Sequence, residues 1–143
     1  MAYSLNDVYQ SLRTAMRLNG ITVGVGLGGL LLGVPATFMA VAPAAGAAVD
    51  VPLWPYRMAG AVLIALGLHL LFAAQERIVR ASTMLAMLVG NGLLAVVLLI
   101  GFLQRELADL SSVAQVVLGA VFFLCVVSAG FALRYLREDY NMT

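Results

Sequence analysis

Residues 54–103 read WPYRMAGAVLIALGLHLLFAA (54–74), QERIVR (75–80) and ASTMLAMLVGNGLLAVVLLIGFL (81–103). Two apolar runs, Pro55–Ala74 and Ser82–Leu103, thus flank one short charged turn, Gln75–Arg80. At about 1.5 Å of rise per helical residue, either run is long enough to cross roughly 30 Å of hydrocarbon. A turn that short permits only an antiparallel return, so the stretch reads as a transmembrane helical hairpin. One further apolar run on each side completes the chain, giving expected spans at 20–41, 55–74, 82–103 and 113–133. The expected fold is all-α: a four-helix transmembrane bundle, up-down-up-down, with a short amphipathic N-terminal helix, in one integral membrane domain covering 1–143.

Composition agrees with a lipid-solvated surface. The chain is 63% apolar and only 10% charged, against ~25% charged in a soluble domain, and its mean hydropathy is +1.02. Every basic residue is Arg and the net charge is +1, so nothing in the charge pattern points to nucleic acid. The one cysteine, Cys125, lies inside an apolar run and reads as a small buried hydrophobe with no intramolecular disulfide partner. The polar N-terminus has no early basic region and no cleavage signal after its first apolar segment, so the first span is read as an uncleaved anchor.

From Ser4 to Asn19, apolar residues at Leu5, Val8, Tyr9, Leu12 and Met16 share one helix face, and Ser4 with Asp7 fits a capping box. Arg13 and Arg17 lie on the polar side. This segment is either an interfacial helix that meets anionic lipid or a partner, or a cytoplasmic extension of the first span. In that span Gly20, Gly24 and Gly28 fall four apart, and Gly29 and Gly33 make a second such step. Spacing of this kind lets another helix approach to backbone distance, within the chain or from another subunit. Pro35 should kink the outer part of the span. Trp54, Pro55 and Tyr56 mark a membrane entry where Arg57 can snorkel, and Asp109, Ser111 and Ser112 are candidate caps for the last helix. Glu76 and Arg80 stand four apart as a solvated pair.

With four crossings, Arg13, Arg17, Arg77, Arg80, Arg134 and Arg137 share one side, and only Arg57 and Arg105 lie on the other. The positive-inside rule then puts both termini in the cytoplasm.

Polar residues within the spans are the candidate functional groups. Thr22, His69, Asn91 and Ser128 lie at comparable depth on four different helices and are expected to form one intramembrane layer. Two readings of His69 stay open. It is a cofactor-binding residue, an axial ligand to haem or chlorin or a hydrogen-bond donor to quinone, or it is a neutral histidine bonded to Asn91, Ser128 or a backbone carbonyl. A haem held by two histidines within this chain is excluded, because there is one histidine. No set of ligands suited to a metal is present, and no catalytic constellation stands out. No carboxylate lies in the middle of a span, which argues against a proton-coupled exporter of the small multidrug type.

Across Pro55–Gly67, with Arg57 entering the span and Gly60 and Gly67 following, the chain resembles the small bacterial four-helix membrane proteins grouped as DoxX-like. The resemblance implies a bacterial inner-membrane location, quinone or thiol redox partners in some relatives, and anchoring and packing roles for Arg57, Gly60 and Gly67. The expected function is a non-enzymatic accessory subunit of a larger inner-membrane complex, with respiratory or photosynthetic electron transfer as the setting considered. Its expected partners are membrane lipid and other integral subunits met through glycine-rich faces, with no nucleic acid and no soluble substrate. The alternatives are a small homodimeric transporter or channel, or a quinone- or pigment-binding redox protein using His69.

Overall fold

The computed structural model describes residues 9–38, 52–76, 78–108 and 110–140. Among them, four helices are long and apolar enough to cross a membrane, so this is an all-helical, multi-pass membrane protein. The first runs Gln10–Gly33, the second Trp54–Ala73, the third Ala81–Leu103 and the fourth Ser112–Tyr140.

The first helix agrees with the reading of the N-terminal segment as an extension of the first span. It begins at least ten residues before the predicted 20–41 span, and Gln10–Asn19 continues into the apolar part without a break. The expected capping box at Ser4 and Asp7 lies outside the described residues. Residues Gly20–Leu27 are wound as a π-helix, with the wider i→i+5 hydrogen-bond step. Where a kink was expected at Pro35, the helix ends: Val34 leaves helical geometry at φ −133°, ψ 50°, and Pro35 opens the short helix Pro35–Phe38. Proline disfavours the α conformation in the residue before it, which accounts for the break at Val34. The second helix starts next to Pro55, where a missing N–H costs nothing. The fourth helix is capped by Ser111, whose Oγ accepts from the Ala114 N–H at 3.1 Å, and it runs two turns beyond the expected 113–133.

The packing is not that of the hairpin read from 54–103. The Gln75–Arg80 turn does return the chain, and Glu76 pairs with Arg80 at 3.6 Å on its exposed surface. Yet the second and third helices barely touch. The second helix packs on the first, and the third packs on the fourth. Backbone proximity explains the first pairing. A Cβ on Gly20 would stand 2.8 Å from the Gly67 carbonyl oxygen, one on Gly67 would stand 2.5 Å from Gly24 Cα, and one on Gly60 would stand 2.6 Å from the Gly28 carbonyl oxygen. Only hydrogen fits at these places. The order of contacts, Gly20 against Gly67 and Gly28 against Gly60, shows that the two helices run antiparallel. In lipid, where burying apolar surface supplies little drive, such close dispersion and Cα–H···O contact is what holds helices together.

Gly29 and Gly33, expected in the same role, have nothing within 4 Å of where a side chain would begin. They face outward and pack on nothing described.

Two apolar clusters fill the interior. One gathers Leu12, Met16, Leu70, Ala74, Met84 and Ala132, the other Val23, Leu27, Leu98, Ala114, Leu118 and Cys125. At the first end the Arg13 guanidinium also donates to the Glu76 carbonyl at 2.9 Å, tying the first helix to the turn after the second.

Replacing Gly67 by Ala should cost about 1–3 kcal/mol by overpacking, while Gly29→Ala should be neutral or gain up to about 1 kcal/mol from helix propensity. Thermal unfolding of the two variants in mild detergent, measured side by side, checks this ordering.

Candidate functional site

Between the two apolar clusters lies a small polar centre. Asn19 Nδ2 donates to Asn91 Oδ1 at 2.6 Å and to Ser128 Oγ at 3.2 Å, and Asn91 Nδ2 donates to the Met87 carbonyl at 2.9 Å. The three side chains are 4%, 6% and 1% exposed, and they join the first, third and fourth helices. Each is placed by the face its helix buries. Asn19 continues the inward stripe Leu12–Ala15–Met16, and Asn91 continues Thr83–Met84–Met87. In a dry interior an unmatched amide costs about 1–3 kcal/mol or more, so mutual hydrogen bonding is the condition for its presence there.

The expected layer of Thr22, His69, Asn91 and Ser128 is therefore realised in part. Among the described residues, Asn91 and Ser128 are joined only through Asn19. Thr22 is exposed and turns its hydroxyl back onto the Leu18 carbonyl of its own helix at 2.6 Å, as threonines in apolar helices commonly do. His69 is exposed as well, and among the described residues it has no hydrogen bond to Asn91, Ser128 or a backbone carbonyl. The physical reason is angular. On the second helix, Gly60, Gly67, Leu70 and Ala73 form the buried stripe, and His69 lies about 100° away from Leu70 around the axis.

Asn19, absent from the expected layer, takes the place of those two. With the span taken to start at Gly20, Asn19 counted as a flanking residue. The signal that would have found it is the 3–4 spacing from Leu12 through Ala15 and Met16, read across the supposed boundary.

His69 stands at the rim of a cleft between the second and third helices, which Gly67, Gly90, Asn19 and Asn91 also line. The cleft measures about 40 Å³. A cavity of roughly 150 Å³ is what admits one benzene ring, so neither a haem nor a chlorin macrocycle fits inside it. Such a ring would have to lie outside, on the surface of the bundle. Among the described residues no group of three or more His, Cys, Asp or Glu gathers to hold a metal ion.

A second, wider groove of about 410 Å³ runs between the first and fourth helices, with Gln10, Ser11 and Thr14 on one wall and Leu124, Val127 and Phe131 on the other. Ser128 borders it, so the polar centre reaches from the cleft on one side of the bundle to this groove on the other. No family model, no curated protein and no solved structure matches this chain.

A double-mutant cycle on Asn19→Ala and Ser128→Ala should return a coupling of about 0.6 kcal/mol, with about 1.7 kcal/mol as the upper bound for interhelical hydrogen bonds in lipid. Thr22→Val combined with either should show none. Equilibrium unfolding in mixed micelles gives the numbers.

Proposed function

We propose that this protein is a non-enzymatic accessory subunit of a larger bacterial inner-membrane assembly, with the electron-transfer complexes of respiration or photosynthesis as its setting. It crosses the membrane four times and keeps both termini in the cytoplasm, in keeping with six arginines on that side against two on the other.

The observation that carries the reading is His69. Ionisable side chains inside spans almost always face a bundle interior or a partner, because hydrocarbon cannot hydrogen-bond them. His69 lies about 9 Å from the end of its apolar run, faces outward, and is unbonded among the described residues. A neighbouring subunit supplies the missing bond. Outward glycines support the same view. Gly29 and Gly33 on the first helix and Gly119 and Gly130 on the fourth each cost about 0.5–1 kcal/mol relative to Ala, yet nothing described stands within 4 Å to repay it. Close approach of helices from outside the chain gives these positions a purpose.

Gentle extraction followed by native mass spectrometry should show the chain with defined larger membrane partners, and Gly119→Leu or His69→Leu should release them without lowering the chain's own melting temperature. A lone monomer would overturn the proposal, and a homodimer would transfer the weight to the transporter reading. For orientation, a membrane-impermeant maleimide should label Ser4→Cys in inside-out vesicles and Ala108→Cys in right-side-out vesicles. Cys125, 0% exposed, contributes no background.

A further inference from the structure

The cleft between the second and third helices has a floor unlike its walls. Asn19 and Asn91 make half of a reciprocal amide pair: one N–H···O bond joins them at 2.6 Å, and the complementary bond is not made. Asn19 uses both amide protons, on Asn91 and Ser128, while its Oδ1 accepts from no described residue. Asn91 uses one amide proton on the Met87 carbonyl and has a second with no described acceptor. Both side chains are more than nine-tenths buried, and both line the cleft. Asn19 Oδ1 is not one of the enclosed atoms of the interior, so this open acceptor has accessible surface on a residue that lines the cleft. With the spare Asn91 amide proton it forms a recognition element for a single O–H group, which donates to Asn19 Oδ1 and accepts from Asn91 Nδ2.

From this we infer that the cleft is a binding site for the hydroxyl end of a slender, uncharged, lipid-soluble alcohol. Three features set that class. The space, about 40 Å³, holds a hydroxyl and its first carbons and excludes ring-shaped heads. Apart from His69 at the rim, the remaining lining is apolar or glycine (Leu63, Gly67, Gly90 and Leu94 among it), so an ionic head seated at the floor would lose its hydration with no counter-charge beside it. The depth is wrong for a phospholipid head group. Asn91 stands about 15 Å along its helix from Ala81, close to the middle of roughly 30 Å of hydrocarbon, and Asn19 is bonded to it. The ligand enters sideways from the bilayer, past exposed Leu66, and its chain lies against Leu63 and Leu94.

The test uses the full chain in phospholipid vesicles and two photoreactive probes, a long-chain primary alcohol with a diazirine near its hydroxyl and the matched alkane without the hydroxyl. Mass-spectrometric mapping should place alcohol cross-links on residues 63–67 and 90–94 at several times the alkane yield, and excess unlabelled alcohol should compete them away. Gly90→Leu should abolish this labelling, because its side chain grows into open space and fills the cleft without displacing backbone. Asn91→Leu should reduce alcohol labelling to the alkane level. Equal labelling by both probes in the unaltered protein would mean that acyl chains fill the cleft without polar recognition. No labelling there by either probe would mean that the cleft is closed to lipid-borne ligands. Either result overturns the inference, and neither depends on a variant folding.

Discussion

The contact of Gly24 with Gly67, backbone against backbone across the first and second helices, is the constraint on which the rest of the bundle depends. It fixes the second helix to one neighbour along a narrow line and leaves most of its circumference for lipid. The first helix in turn is free to present its other buried positions to the third and fourth. Asn19 therefore reaches Asn91 and Ser128 while Gly20, next in sequence, lies against the second helix. A methyl group at either contact would push the helices apart, and the hydrogen bonds of the polar centre, made at 2.6 and 3.2 Å, tolerate little displacement.

The π-helical stretch Gly20–Leu27 serves the same contact. In an α-helix of 3.6 residues per turn, a four-residue step overshoots one turn, so Gly20, Gly24 and Gly28 would drift around the axis. In the wider π turn the same step falls short of a full turn, so the drift runs in the opposite sense. Glycine and the wide turn suit each other, since residues without side chains leave the coil free to adopt it. Gly20, Gly24 and Gly28 all lie against the second helix along that stretch.

Four helices, their order and their apolar character were legible in the sequence because hydropathy over about twenty residues is a strong, local signal. Which helix packs on which was not. The short Gln75–Arg80 turn fixes an antiparallel return and no packing, whereas the pairing follows glycine positions on helices separated by a long connection. Similarly, Gly20–Gly24–Gly28 and Gly29–Gly33 carry the same four-residue spacing, and only the partner helix distinguishes them. At the polar centre, depth was readable by counting residues, so Asn91 and Ser128 were found. Direction around the axis depends on the buried stripe of each helix, which misplaced Thr22 and His69. Asn19 belongs to the inward stripe of Leu12, Ala15 and Met16, which runs on across the onset of the strongly apolar stretch and so carries no hydropathy signal of its own.

The division into a first-with-second and a third-with-fourth pair also gives the chain an order of assembly. Helices inserted one after another associate afterwards within the bilayer, and the N-terminal portion is made first. The glycine seam can close as soon as residue 73 has entered the membrane, with no need of anything that follows. During that interval the Asn19 carboxamide has no described partner of its own helix pair and waits in hydrocarbon for Asn91 and then Ser128. Its unmet demand acts as a latch: the half-made bundle has a reason to capture the second pair and, once captured, a reason to keep it.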